Sequence, residues 1–157
     1  MAAKPAKIFR DPLYNYISID REHDAWLLKL LDTPEVQRLR RIHQLGVSYF
    51  TYPGADHNRL AHTLGVVHLM HQALRHLERI HNKQEIDQAR AALLAAALLH
   101  DVGHGPFSHL FEPCLGIDHE IWSKKIVMDP ATEVHRIVGE VDIYLPNKVA
   151  DLIDEKK

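Results

Sequence analysis

The chain has 157 residues, of which 46% are hydrophobic and 25% charged, and this is the composition of one ordinary globular domain. Nineteen basic and 21 acidic residues give a net charge of −2, which argues against a protein whose main task is to coat nucleic acid. The single cysteine, Cys114, excludes an internal disulfide and a multi-cysteine zinc site. No run reaches the roughly 18 apolar residues of a transmembrane helix, and residues 1–7 lack the apolar stretch of a signal peptide. The sequence therefore predicts a soluble, cytoplasmic protein whose residues 1–157 form one unit.

Short elements separated by turn signals fill the first third of the chain. Residues 1–20 are predicted to be irregular or weakly extended, with a strand-like alternation over 14–19. An apolar helix is predicted over 24–31, and Thr33 then caps a new helix that ends at Gly46. The aromatic segment 47–52 is predicted to be extended.

The rest of the chain has the three- and four-residue apolar spacing of helices. One long helix is predicted over 58–81, and a second begins at about Asp87 and ends in nine consecutive apolar residues. Such an all-round apolar helix belongs in the middle of a bundle. Further helices are expected over about 118–126, from a cap at Asp129 and from a cap at Asn147. The sequence therefore predicts an all-α fold with the apolar helix at its centre and the long helix beside it.

Histidine is abundant in this chain. The 13 histidines outnumber all Phe, Trp and Tyr residues together, and histidine is the commonest metal ligand. Any single one, such as His71, is interpreted as decoration of a solvated helix face. The pair His100-Asp101, in contrast, directly follows the apolar helix, where burying each side chain unpaired would cost about 2–7 kcal/mol. A divalent cation would satisfy both, although a helix end with His100 at the dipole and Asp101 as a cap would also explain the pair.

Further histidines surround that pair in the sequence or in the predicted fold. His62 lies on the long helix in register with apolar positions, so it is expected to face inward. It could converge with His100-Asp101 on one metal ion. His104, His109 and His119 follow the only break in the most apolar segment, and this grouping favours a site over surface decoration.

These residues match a known family. His62 and the string Leu-Leu-His-Asp-Val-Gly-His-Gly-Pro-Phe-Ser-His at 98–109 resemble the HD phosphohydrolases. The blocks at 32–40, 44–46 and 52–66 narrow the resemblance to the SAM-and-HD-domain deoxynucleoside triphosphate triphosphohydrolases and their bacterial dGTPase-like relatives. The resemblance implies an HD-domain helical bundle, of which this sequence is the N-terminal portion.

The resemblance, which runs from about Ile8 to Trp122, also implies a divalent metal cofactor, whose identity stays open among Mg, Mn, Fe, Ni and Zn. The implied ligands are His62, His100 and Asp101. The family's fourth ligand is an aspartate in a Ser-x-x-Leu-Asp segment of a later helix. No matching segment occurs in these 157 residues, so the sequence resembles the N-terminal part of such an enzyme, either truncated or given without its remainder.

Catalytic, substrate-binding and regulatory residues are implied in the same way. His104 and His119 would lie near the reacting phosphate, with His119 protonating the leaving group and Glu120 orienting it. The implied substrate-binding residues are Arg59 and His109 for the phosphates, and Gln44 and Leu45 for the deoxynucleoside. The residues implied to bind a regulatory guanine nucleotide are Asp32, Gln37 and Arg40.

The implied reaction is metal-assisted hydrolysis of a deoxynucleoside triphosphate to a deoxynucleoside and intact triphosphate, by attack at the α-phosphorus. A homo-oligomer with a guanine nucleotide activator is expected, since the regulatory site lies between subunits in relatives. No membrane partner is expected, and nucleic acid is not favoured.

Three alternatives stay open at the level of the sequence. The chain could be an HD hydrolase of another phosphate ester, such as a nucleoside monophosphate, a cyclic nucleotide or an alarmone. It could be a catalytically inactive module that binds nucleotide or single-stranded nucleic acid, or a helical interaction fragment without a site. The basic residues of the implied regulatory site could equally form a solvated helix face.

Overall fold

The computed structural model of the protein describes residues 5–116 and 118–153. A β-hairpin comes first and helices follow. The strands are β1 (Lys7–Asp11) and β2 (Asn15–Ile19), and the α-helices are α1 (Ala25–Leu31), α2 (Pro34–Gln37), α3 (Arg59–Ile80), α4 (Lys83–Leu99), α5 (Phe111–Leu115), α6 (His119–Met128), α7 (Glu133–Val141) and α8 (Leu145–Ile153). Short 3-10 helices lie at Arg38–Arg41, Ser48–Phe50 and Ser108–Leu110. The predicted all-α fold is confirmed. None of the helices in the described ranges has both the length and the apolar character needed to cross a membrane.

The hairpin shows why the sequence predicts only its second strand. β1 and β2 pair antiparallel, with Lys7 opposite Ile19. In β2, Ile17 and Ile19 are each 1% exposed while the residues between them face solvent, which produces the period-two pattern. β1 is exposed along most of its length, so its sequence carries no such alternation.

Helix α4 lies at the centre of the helical core. It packs against α3 and α8 and also contacts α1. Leu94, Leu98 and Leu99 are completely or almost completely buried, as expected of a helix that is apolar all round. The expected placement of the long helix beside it is therefore confirmed. This packing matters for the site, because it fixes the point at which α4 ends.

Polar caps decide several helix boundaries. Thr33 accepts a hydrogen bond from an amide of α2, as predicted. Asn82 caps α4, so that helix begins earlier than expected. Thr132 rather than Asp129 caps α7. Asn147 lies inside the first turn of α8 and does not cap it. The observed starts of α4, α7 and α8 thus lie within a few residues of the predicted ones. Helix ends are commonly uncertain by a few residues.

The segment 47–52 corrects another expectation. It forms a turn and a short 3-10 helix instead of an extended strand, and the amide of Tyr52 donates to the carbonyl of Ser48 at 3.0 Å. Tyr49 stacks on His43 with ring centroids 4.4 Å apart. Aromatic residues favour strands because they pack on neighbouring strands. In the described ranges the only sheet is the β1–β2 hairpin, which does not include this segment.

His71 is a further correction, because it is not surface decoration. Its side chain is 13% exposed, and its Nε2 lies 3.7 Å from a carboxylate oxygen of Asp24, a side chain buried at the start of α1. Arg90 of α4 reaches the same carboxylate at 3.3 Å. Burial lowers the pKa of His71, and the nearby carboxylate of Asp24 only partly opposes this effect. The contacts of His71 and Arg90 with the carboxylate of Asp24 thus link α3 and α4 to the start of α1.

Candidate metal and phosphate site

The site begins where α4 ends. His100 is the last residue with helical geometry, and Asp101 starts the turn that follows. The Nδ1 atom of His100 lies 3.0 Å from the carbonyl oxygen of Ala97, which directs Nε2 away from the helix. That Nε2 is 3.3 Å from Nε2 of His62 on α3 and 3.5 Å from Oδ1 of Asp101. The structure therefore brings the three predicted metal ligands together.

The three side chains fit a divalent cation. His62 Nε2 lies 3.7 Å from Asp101 Oδ2, and one ligand atom from each residue lies within 4.8 Å of the others. Ligand atoms around a tetrahedral zinc ion with bonds of about 2.0–2.1 Å are about 3.3–3.4 Å apart, and the distances of 3.3 Å, 3.5 Å and 3.7 Å, the last two to different oxygens of Asp101, are close to this separation. Two imidazoles and one carboxylate are also an ordinary donor set for zinc, manganese or iron. His62 is half-buried and its pKa is lowered by burial, which favours the neutral form that binds metal.

Asp101 is held by Arg59, whose side chain is 1% exposed. The Arg59 Nη1 donates to Oδ2 of Asp101 at 2.5 Å, and its Nε donates to the hydroxyl of Ser108 at 2.8 Å. Burial by itself would raise the pKa of Asp101. The nearby imidazoles of His104 and His100 and the guanidinium of Arg59 hold that pKa well below its usual range. The carboxylate is therefore ionised and ready to bind a cation.

Ser108 reaches Arg59 from an unusual backbone conformation. Phe107 and Ser108 both have positive φ, at 62° and 55°, which costs about 1–3 kcal/mol for each residue that is not glycine. The hydroxyl of Ser108 donates to the carbonyl of His43 at 2.8 Å while it accepts from Arg59. The strained turn thus supports the guanidinium at the floor of the site.

The turn after α4 is fastened to α6 by Ser123, which is completely buried. Its hydroxyl donates to the carbonyl of His100 and accepts from the amide of Gly103, both at 2.8 Å. A Cβ atom on Gly103 would collide with the backbone of His119 and Ser123, so only glycine allows this approach. These contacts fix the spacing between the predicted metal ligands and His119, the first residue of α6.

Arg38 holds the same turn from the opposite side. Its guanidinium donates to the carbonyl of His104 at 2.6 Å and to the carbonyl of Val102. Arg38 lies in a 3-10 helix that follows α2. It satisfies two carbonyls that would otherwise be left at the end of a buried helix, and it makes the turn rigid.

A second group of polar side chains lies beside the metal ligands. Glu112 accepts from Nδ1 of His119 at 2.7 Å and from Nδ1 of His109 at 3.0 Å. The ring of His104 stacks on that of His119 with centroids 3.8 Å apart, and its Nε2 lies 3.4 Å from Asp101. His104 is 1% exposed, and burial lowers its pKa. The imidazole of His119 is therefore oriented on one side by a carboxylate and on the other by a buried ring.

Glu112 is a residue that sequence reasoning misses. The prediction gives the task of orienting His119 to Glu120, but the carboxylate that is bonded to His119 is Glu112. Burial would raise the pKa of Glu112, but hydrogen bonds from both histidines lower it, so it is ionised. A signal exists in the sequence, because Glu112 follows His109 at the i+3 spacing of a helical turn.

These side chains open onto a cavity of about 670 Å³. The residues that line it are Gln44, Arg59, His62, His100, Asp101, His109, Glu112, Asp118, His119 and Glu120. The side-chain oxygen of Gln44 is buried and has no hydrogen-bond partner among the described residues. Leu45 is 42% exposed and does not line this cavity. His104 does not line the cavity, and its ring packs against that of His119. Most of the predicted catalytic and substrate residues therefore share one pocket.

The predicted regulatory residues lie together in a separate pocket of about 270 Å³. Arg40 donates to the side chain of Gln37 at 2.7 Å, and Gln37 donates to the carbonyl of Leu31 at 2.8 Å. Asp32, Lys7 and Arg21 line the same pocket, which lies where β1 and α1 meet. Its lining carries both signs of charge.

A helical bundle with a histidine–aspartate pair at the end of its central helix, and a third histidine facing the pair, belongs to the class of HD-domain hydrolases. The HD domain family matches residues 59–155, and the chain belongs to that family. It is 40% identical over 147 residues to the uncharacterized protein YwfO of Bacillus subtilis, a match covering 94% of this chain and 33% of that protein. It is 39% identical over 107 residues to the human deoxynucleoside triphosphate triphosphohydrolase SAMHD1, a match covering 68% of this chain and 16% of that one.

Solved structures agree with the family. The crystal structure of a phosphohydrolase from Bacteroides thetaiotaomicron superposes with a TM-score of 0.71 at 35% sequence identity. That match covers 95% of this chain and 34% of the other. The chain thus spans about a third of the length of its bacterial relatives, and the family and the structural neighbour together support a hydrolase.

Proposed function

We propose that this chain carries the hydrolytic centre of a metal-dependent phosphohydrolase that converts deoxynucleoside triphosphates to deoxynucleoside and triphosphate. The observation that carries the proposal is the convergence of His62, His100 and Asp101 at the edge of a cavity that also holds Arg59 and the His119–Glu112 pair. Cation ligands, a phosphate-binding guanidinium and an oriented imidazole are the groups that phosphoester hydrolysis requires.

Each of these groups has a distinct task in the proposed reaction. His62, His100 and Asp101 would hold a divalent cation, which supplies Lewis-acid polarisation of a phosphoryl oxygen when bound. The guanidinium of Arg59 lies in the cavity wall with Nη1 on Asp101 and Nε on Ser108, so Nη2, which is 3.5 Å from the carbonyl of Gln44, is the group that would meet a phosphate. His119 donates Nδ1–H to Glu112, so its Nε2 is free to exchange a proton with the leaving oxygen. His104, stacked behind it, keeps the ring in place.

The choice of a deoxynucleoside triphosphate rests on the relatives and on the cavity. The matched animal proteins carry the name deoxynucleoside triphosphate triphosphohydrolase. A volume of about 670 Å³ accommodates a ligand the size of a nucleotide. The unpartnered side-chain oxygen of Gln44 offers an acceptor for a sugar hydroxyl.

A product analysis tests this function. The chain, loaded in turn with Mn²⁺, Mg²⁺ and Fe²⁺, is incubated with deoxynucleoside triphosphates, nucleoside monophosphates, cyclic nucleotides and alarmones. We expect intact triphosphate from the first class only, and at least about a 10²-fold loss of that product in the His119→Gln variant. His76→Gln, a change at an exposed histidine of α3, serves as the matched control. Release of phosphate or pyrophosphate instead of triphosphate would contradict the proposal.

Regulation and assembly form a second part of the proposal. Asp32, Gln37 and Arg40 lie in one pocket, and we propose that it binds a guanine nucleotide between subunits of a homo-oligomer. Arg40 and Lys7 supply the cationic groups that a nucleotide phosphate needs. Light scattering with and without GTP tests this. A monomer under both conditions would refute it.

A further inference from the structure

Outside the three predicted metal ligands, His109, Glu112 and His119 form a compact group of their own. They come from the 3-10 helix at Ser108–Leu110, from α5 and from α6. Both histidines turn Nδ1 toward the carboxylate, at 3.0 Å and 2.7 Å from its two oxygens. One ligand atom from each of the three lies within 4.8 Å of the others.

The orientation of the two rings suits a shared ion. The planes of His109 and His119 meet at 80°, with centroids 5.1 Å apart, so their in-plane lone pairs can point at one position. Ligand atoms around a tetrahedral zinc ion with bonds of about 2.0–2.1 Å are separated by about 3.3–3.4 Å. The contacts of the carboxylate with His109 and His119, at 3.0 Å and 2.7 Å, are shorter than that separation by about 0.3–0.7 Å, so the carboxylate must move back to admit an ion, and the mostly exposed His109 can adjust with it.

His104 does not belong to this ligand set, although its Nδ1 lies 3.6 Å from Glu112. Its ring is nearly parallel to that of His119, at 11° and 3.8 Å. Two stacked rings cannot both direct in-plane lone pairs at a single ion. The set is therefore two imidazoles and one carboxylate, which leaves a coordination position open to the cavity.

We propose that His109, Glu112 and His119 form a second divalent-cation site, selective for a borderline ion such as Zn²⁺, that shares no ligand with His62, His100 and Asp101. Imidazole and carboxylate together favour zinc over magnesium, which prefers oxygen ligands. The ion would bind Nδ1 of each ring, and the proton that each Nδ1 now donates to Glu112 would move through solvent to Nε2 of the same ring. Ionised Glu112 needs to lose no proton for this exchange.

Occupation of this site has a consequence that rests on the proposed function. The zinc ion takes Nδ1 of His119 and fixes its ring, and a positive charge beside that imidazole disfavours its protonated form. The leaving oxygen then meets only the Nε2–H of a neutral imidazole bound to zinc, which is a much weaker acid than an imidazolium. Zn²⁺ added to enzyme already loaded with Mn²⁺ therefore inhibits turnover by about tenfold or more, because general-acid catalysis contributes about 10²–10⁴-fold.

Metal titration of the chain tests the site without any substrate. The wild-type chain is expected to bind two equivalents of Zn²⁺ by calorimetry, and Co²⁺ should show two sets of ligand-field absorption. His109→Gln and Glu112→Gln should each weaken one equivalent by more than about tenfold, since even the outer partners of metal ligands are worth about 10–100-fold. His100→Ala should remove the other equivalent, and the control His76→Gln should change neither.

The outcomes separate this inference from the proposed function. An equivalent that His109→Gln removes and His100→Ala spares supports the second site, whether or not the chain hydrolyses a nucleotide. A stoichiometry that is the same in wild type, His109→Gln and Glu112→Gln overturns it, even if triphosphate is released. Far-UV circular dichroism confirms folding of the variants. His109, with a side chain 63% exposed, is the substitution that disturbs packing least.

Discussion

Replacing Ser123 with alanine removes the single hydroxyl that joins the turn after α4 to α6. The substitution leaves the carbonyl of His100 and the amide of Gly103 without the partner they have at 2.8 Å. Ser123 is completely buried, so water does not replace the hydroxyl. Each buried group left unpaired costs about 1–3 kcal/mol, and the two together should lower the free energy of unfolding by about 2–6 kcal/mol. At about 2–4 °C per kcal/mol for a chain of this size, Tm should fall by about 4–24 °C.

Urea denaturation followed by circular dichroism measures the first effect, and Mn²⁺ titration measures a second. Because the carbonyl of His100 is one end of the bridge, the ligand set loosens and Mn²⁺ affinity should fall by about 10–100-fold, as for other partners of metal ligands. Ser48→Ala, at an exposed serine, is the control and should stay within about 0.5 kcal/mol of wild type. If Ser123→Ala matched Ser48→Ala in both measurements, the bridge would have no role in holding the turn.

Three other outcomes can be checked on the same chain. Gly103→Ala should destabilise the fold by at least about 1–3 kcal/mol in urea denaturation, because its Cβ would meet the backbone of α6; an equal midpoint would refute the close approach. His71→Gln should make the free energy of unfolding fall less steeply as the pH is lowered. In the wild-type chain the pKa of His71 is lower in the folded state than in the unfolded state. The unfolded chain therefore takes up this proton first as the pH falls below about 6.5, and the stability that is present above that pH is lost. Parallel stability–pH curves for wild type and variant would contradict this. His100→Ala should abolish Mn²⁺ binding by the His62, His100 and Asp101 site, as measured by calorimetry, and should leave the helical circular dichroism signal unchanged. Mn²⁺ binding that is retained in this variant would contradict a ligand role for His100.

The sequence predicts well those elements whose environment is uniform along their length. The stretch 91–99 of α4 is apolar on all sides because its residues are all buried or half-buried, so the central position of this helix can be predicted from the run that ends at Leu99. The segment 47–52 has the residue types of a strand but no strand beside it. Whether a segment lies beside another strand depends on the tertiary structure, and the strand propensity of its own residues does not report it.

The site, like the fold, has residues that the sequence predicts and residues that it does not. The resemblance names His62 and the pair His100-Asp101, and the structure brings them within about 4 Å of one another; their roles as ligands stay predictions. Ser123 contacts His100 and Gly103 from 23 and 20 positions away in the chain, and Glu112 contacts His119 from 7 positions away. The i+3 spacing from His109 is a local signal for Glu112, but nothing in the immediate sequence marks Ser123 as a partner of the turn. His71 is misread for a related reason, since the charge that it meets comes from α1.

The ion pair between Arg59 and Asp101 has a consequence for how the metal centre forms. A buried carboxylate that depended on a cation for its only partner would make folding and metal binding one event, as in zinc fingers. Here the guanidinium already neutralises Asp101 at 2.5 Å, so a chelator should strip the metal and leave the helices folded. The metal affinity that we expect is then that of a preformed cleft in which the incoming ion competes with Arg59 for one carboxylate oxygen. A metal ion would then enter or leave by exchanging places with Arg59 at Asp101, and the chain would not need to unfold or refold.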